Sequence, residues 1–211
     1  MSIQVSSKCL LHYSFQEAPN GLRVSLDQTH TQGEAIELAI SNTSGSTLYV
    51  KKITISFPLG ADQANHFAAG NNITFNAIPS DQYTIVQQSP GVFVITPPQG
   101  SPYITWLNQG LYLRFTGIIM NTSLGVAKIK IDEQSSHSSN SGFQDEIGWY
   151  WFGKYPYEFY MRNFVADNST IAPNTSVTLT WTGAANGNYK LKWYDANGMQ
   201  SADVTATRSW Q

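Results

Sequence analysis

Charge is what this sequence has least of. Lys and Arg total 12 and Asp and Glu 14 in 211 residues, a 12% share that is about half of what a globular domain carries. The balance of −2 and the lack of any clustered Lys and Arg leave no electrostatic footprint for nucleic acid. Cysteine is nearly absent as well. Cys9 stands alone, so no internal disulfide can staple the fold. Its apolar setting, "KCLLHYSF", predicts a small buried hydrophobe. Long apolar runs are missing too: no stretch approaches the ~18 residues of a membrane span. The N-terminus lacks the basic region followed by a continuous apolar run that a secretory signal needs.

Ser, Thr, Asn and Gly supply the solubility that charge does not, and they suit β surfaces and turns better than helix surfaces. Such a composition favours an extracellular or particle-associated protein. Without a signal, a cytoplasmic location or export by another route stays open. The five Asn-x-Ser/Thr sites, at Asn42, Asn72, Asn121, Asn168 and Asn174, are what a chain this rich in Asn, Ser and Thr yields by chance.

The hydrophobic period is two almost everywhere. Ile36, Leu38 and Ile40 share one face, as do Leu111, Leu113 and Phe115. In "VAKIKID" Ala127, Ile129 and Ile131 point inward while Lys128 and Lys130 point outward. In "LYVKKITISFP" Leu48 and Val50 keep one parity and Ile53, Ile55 and Phe57 the other. That slip predicts a β-bulge near Lys51–Lys52. "QYTIVQQ" and "GVFVITPP" flank Ser89-Pro90-Gly91 as a hairpin. Only "ADQANHFAAGNN" is open to a helical turn or two. With eight to ten strands and no room for crossover helices, the first part reads as an antiparallel two-sheet sandwich over residues 1–155. "EQSSHSSNSG", residues 133–142, reads as a linker or a flexible loop.

In residues 156–211, Val177, Leu179 and Trp181 share a face, and so do Tyr189, Leu191 and Trp193. With Pro173, Ser176, Thr178 and Thr180, these residues make the segment resemble a bacterial immunoglobulin-like module, whose strands carry "V-T-L-T-W" and "Y-x-L". The resemblance covers only about the last fifty residues and rests on core positions. It implies a spacer or interaction domain of a multidomain surface protein and no functional site. A complete domain of that type takes ~100 residues and seven strands; this stretch has room for four or five. Three explanations stay open: a fragment of a longer protein, a segment packed onto the first domain, or an open sandwich completed by a partner's strand. Self-association through this segment follows from the last.

Candidate chemistry is thin. The acidic pairs Asp132–Glu133 and Asp145–Glu146 meet a glycosidase's need for two carboxylates only if one from each pair converges across a cleft. No nucleophile elbow, phosphate loop or Asp-rich calcium loop occurs. His12, His30, His66 and His137 have no metal-ligand spacing. Neither a metal nor a cofactor is expected. The stretch with functional pull is "EIGWYWFGKYPYEFYMRNF", with Trp149, Tyr150, Trp151, Phe152, Tyr155 and Tyr157 as candidate ligand-binding residues. On a strand one half of these must leave the core. That half is expected to be covered by the adjoining module, with a sugar or protein platform as the competing role. The expectation is an all-β, non-catalytic binding or scaffolding module of a larger bacterial protein, exported or particle-associated, with a carbohydrate-binding module as the alternative. Its expected partners are a protein, further domains of the same polypeptide or a glycan, and not nucleic acid.

Overall fold

The computed structural model describes residues 3–17, 22–25, 33–60, 64–68, 72–157, 161–168, 170, 175–184, 188–207 and 209–210. The chain divides into two compact units, Met1–Tyr157 and Glu158–Gln211. Every regular element among the described residues is a strand.

The first unit contains β1 (Ile3–Ser7), β2 (His12–Glu17), β3 (Leu22–Arg23), β4 (Gly33–Ser41), β5 (Leu48–Ser56), β6 (Thr74–Ile78), β7 (Thr84–Ser89), β8 (Val92–Thr96), β9 (Ile104–Trp106), β10 (Gly110–Ile119), β11 (Gly125–Ser136) and β12 (Gln144–Tyr155). One sheet runs β1-β12-β11-β5-β8-β7, with β3 also on β12 and β9 also on β5. The other runs β2-β4-β10-β6. Among these pairings only β3 with β12 is parallel. The long strands β5 and β12 each share one edge between two short partners: β9 takes Leu48–Val50 and β8 takes Ile53–Ser56, while β1 takes Gly148–Trp151 and β3 takes Lys154–Tyr155.

The two inner faces meet in one apolar core. Phe15 of β2 lies 4.8 Å from Tyr150 and 5.3 Å from Phe152 of β12, ring centre to ring centre. Phe115 of β10 lies 5.0 Å from Phe93 of β8. Tilted and edge-on pairs of this kind add to the area they bury. The alternation read from the sequence holds: Ile36, Leu38, Ile40, Leu111, Leu113, Phe115, Ala127, Ile129 and Ile131 are all in the core.

Bulges keep that core continuous. Gln134 pairs with Lys52 but Ser135 pairs with Val50, so Lys51 is the extra residue on β5. This is the predicted slip; it lets Leu48 and Val50 on one side of it and Ile53 and Ile55 on the other all face inward. A second bulge on β10 falls between Phe115 and Ile118, where Gly117 has φ +72°. A Cβ there would also meet the Asn72 carbonyl at 3.0 Å, so glycine is required twice over. The parity change brings Ile118 and Met120 into the core.

Two readings are corrected by this topology. Residues 133–142 are no linker: Glu133–Ser136 complete β11, and the following residues turn into β12, inside the first unit. Its serines supply turn hydrogen bonds, Ser136 Oγ donating to the Ser141 carbonyl at 2.8 Å and accepting from Ser138 N–H at 2.9 Å. Cys9 is only half-buried, packed against the core's edge. Of the stretch open to a helical turn, Ala64 and Asn65 form a turn, and 61–63 and 69–71 lie outside the described residues.

The second unit contains β13 (Met161–Ala166), β14 (Leu179–Gly183), β15 (Lys190–Asp195), β16 (Gly198–Asp203) and β17 (Ser209–Trp210). A sheet β13-β14-β17 accompanies the hairpin β15-β16. Its buried cluster is Trp181, Tyr189 and Val204, with Leu179, Leu191, Ala202 and Trp210 packed against it. Tyr189 Oη donates to the Ala184 carbonyl at 3.1 Å, and its ring occupies the space a Cβ at Gly183 would need. Glycine at 183 is what lets the tyrosine lie there.

Candidate functional site

The aromatic stretch forms the last strand laid against β11, and its alternation separates the six candidates into three groups. Tyr150 and Phe152 point inward and belong to the core. They are closed to a ligand and are corrected from binding candidates to packing residues, because Ala127 and Ile129, their register partners on β11, face the same way. Trp149, Trp151 and Tyr155 share the outer face of the sheet. Tyr157 follows the strand's end and is half-buried.

The outer face has a regular layout. Trp151 is opposite Lys128 and Trp149 is opposite Lys130, so an aromatic row runs beside a lysine row. Cross-strand neighbours have Cβ atoms ~5 Å apart, and outward residues on one strand recur every ~6.6 Å. Lys128 Nζ sits 4.7 Å from the centre of the Trp151 ring, a cation–π contact. Lys130 Nζ is 2.6 Å from Asp132 Oδ1. The next outward position after Trp151 is Gly153, and Tyr155 folds back over it: a Cβ on Gly153 would lie 3.5 Å from Tyr155 Oη. Trp149 is 37% exposed, Ile147 42% and Val126 43%.

The four candidate carboxylates do not form a catalytic pair across a cleft. Glu133 and Glu146 are register partners in adjacent strands. Glu133, however, is 1% exposed and its carboxylate is enclosed by donors: Leu10 N–H at 2.9 Å, Leu11 N–H at 3.3 Å, Tyr13 Oη–H at 2.7 Å and the Ser135 hydroxyl. Asp132 is tied to Lys130 on the opposite face, and Asp145 accepts from Gln134 Nε2 at 3.0 Å. Glu133 thus acts as a bolt between the sheets, joining β11 to the residues entering β2. Burial, and after it the Glu133 charge, raises Tyr13 well above the ordinary tyrosine value.

A second polar lock lies at the far end of β12. Lys154 Nζ donates to the His66 carbonyl at 2.7 Å and to Asn121 Oδ1 at 2.8 Å. Asn121 Nδ2 donates to that same carbonyl at 2.8 Å. Burial lowers Lys154 to about 8. Among the described residues no group of His, Cys, Asp and Glu is arranged to hold a metal ion. His12 and His137 are exposed, His66 is half-buried, and His30 and Asp27 lie outside the described residues.

The second unit has a groove of about 250 Å³ lined by Phe164, Trp181, Tyr189, Leu191 and Val204, with Asn188 and Lys190 supplying its polar groups. It opens beside β13, where Phe164 and Val165 are both exposed.

No family model matches the sequence, and no curated protein matches it. Among solved structures the chain is similar to a GH20 exo-β-N-acetylglucosaminidase from Vibrio harveyi, with a TM-score of 0.31 and 11% identity over 70% of this chain and 18% of that one. It is also similar to a DUF4466 family protein from Parabacteroides merdae, with a TM-score of 0.30 and 12% identity over 74% of this chain and 48% of that one. The chain therefore spans less than half the length of either. Likeness at this level assigns no family, and the immunoglobulin-like reading of residues 156–211 rests on its motif residues.

Sequence reasoning missed Glu133 as a core residue, though the signal was present. The inward alternation Ala127, Ile129, Ile131 runs on to Glu133 and Ser135 without a break.

Proposed function

We propose that this chain is a non-catalytic binding and scaffolding module of a larger bacterial protein, exported or particle-associated, and that the outer face of its larger sheet is the contact surface. The observation behind this reading is Trp149. It is a large aromatic held on a rigid strand, 37% exposed, beside exposed Ile147 and a second tryptophan. Apolar surface of that kind on an ordered sheet marks a contact site more often than chance placement. An aromatic row with polar neighbours also favours the carbohydrate form of the reading, in which the module serves an enzyme carried elsewhere. Flat rings stack on the C–H faces of sugars, and a strand holds them at fixed intervals.

The test is retention of the full chain on immobilised glycans and on candidate partner proteins, beside Trp149→Ala and Trp151→Ala. Loss of retention with an unchanged melting temperature supports the reading. Retention that survives both substitutions places the contact elsewhere. In the second unit, exposed Phe164 and Val165 on β13 support self-association. Sedimentation at several concentrations should show a monomer–dimer shift that Phe164→Ser weakens, whereas a strict monomer at all concentrations removes this part of the proposal.

A further inference from the structure

The outer face also carries information about the charge of its ligand, provided that the binding reading holds. We infer that it takes an acidic glycan, a chain bearing uronate carboxylates or sulfate groups, with Trp149 stacking on a sugar ring and Lys128 contacting the acid group of its neighbour. The inference rests on the charge pattern around the aromatic row. Lys128 lies over Trp151, and among the described residues no carboxylate pairs with it. A ring face orients an ammonium without neutralising it, so this cation keeps its charge for a ligand. Lys130 is different, because Asp132 at 2.6 Å already neutralises it. The patch therefore offers one uncompensated positive charge beside Trp149, Trp151 and Tyr155.

That ratio discriminates among ligands. A neutral glycan covering the patch would offer the Lys128 ammonium hydroxyl acceptors but no opposite charge to offset its desolvation. A single-stranded nucleic acid brings one phosphate per nucleotide and is held by a groove of several cations, more than stand beside this aromatic row. A protein interface core is depleted in lysine, whereas here lysine stands among the aromatics. An acidic glycan supplies what remains: apolar ring faces for Trp149 and spaced anions for Lys128. Trp151 positions the ammonium, and the mutual neutralisation of Lys130 and Asp132 leaves Lys128 as the acid group's partner.

The experiment is isothermal titration of the full chain with oligogalacturonate, with a heparin-derived oligosaccharide, with neutral cello-oligosaccharide and with oligo(dT), each at low and high salt. Expected is binding of one or both acidic glycans that weakens at least about tenfold in Lys128→Gln and in Trp149→Ala and weakens with salt. Preference between the first two ligands distinguishes carboxylate from sulfate recognition. Neutral glycan bound as tightly, with Lys128→Gln unaffected, overturns the acidic inference and leaves the binding reading standing. Tighter binding of oligo(dT) overturns it in favour of nucleic acid. No binding of any ligand, together with a large loss of stability in Trp149→Ala, overturns the binding reading itself.

Discussion

Trp151 and Phe152 are adjacent in the chain and similar in size and apolarity, yet they do opposite things. Phe152 is fully buried, edge-on to Phe15 of the facing sheet. Trp151 lies on the other side of the same strand under a lysine. The strand's own composition does not separate the two faces, since both are aromatic. The partner strand does. Beside Phe152 and Tyr150 it places Ala127 and Ile129, and beside Trp151 and Trp149 it places Lys128 and Lys130. A sheet face is thus read from two strands in register, and the charged member of each pair says which side meets water.

The contrast can be broken most forcefully from the inside. Phe152→Ala should cost ~3–5 kcal/mol, the range for deleting a buried aromatic ring, measured by urea denaturation of the full chain. Glu133→Gln should come next. It replaces an acceptor-only carboxylate, held by four donors, with an amide whose N–H₂ faces other N–H and O–H groups. A loss of about 2–4 kcal/mol is expected; a neutral outcome would show that the bolt between the sheets carries no net stability.

A smaller effect follows from pH. Lys154 titrates at about 8 in the folded chain against 10.5 for an ordinary lysine. Between those values the unfolded chain binds a proton that the folded one has released, so stability rises with pH through this window. Tyr13 and Tyr83 are raised above their ordinary 10.0 by burial. Their contribution is complete below 10 and is lost as pH climbs past it. Denaturation midpoints should therefore rise from about pH 8 and turn down above about 10, and Lys154→Met should remove the rise. The smallest effect belongs to the outer face: Trp149→Ala should change stability by no more than about 1 kcal/mol.

Much of the fold was legible from alternation. Ile36, Leu38, Ile40, Leu111, Leu113 and Phe115 sit where a period of two places them, and the parity slip at Lys51 marked a real bulge. The Ser-rich stretch misled because composition reports solvation and not connectivity: serines that look like linker residues close a hairpin through their own hydroxyls. Glu133 escaped because a carboxylate is normally assigned to solvent, although its position continues an inward row. The site was half legible. Periodicity showed that one set of aromatics must leave the core, but which set depended on the register with β11, a tertiary fact. The exposure of Trp149 depends on what lies over the sheet, and alternation within one strand does not encode that.

The most direct test is a titration of the native chain and of Trp149→Ala with oligogalacturonate and with the heparin-derived oligosaccharide, followed by denaturation of the same samples. If the outer face is an acidic-glycan surface, the native chain binds at least one of the two, the variant binds it at least about tenfold more weakly, and the two unfold within about 1 kcal/mol of each other. If Trp149 is packing in disguise, the variant loses ~3–5 kcal/mol as Phe152→Ala does, the native chain shows no binding, and the division of β12 into a core face and a contact face is wrong.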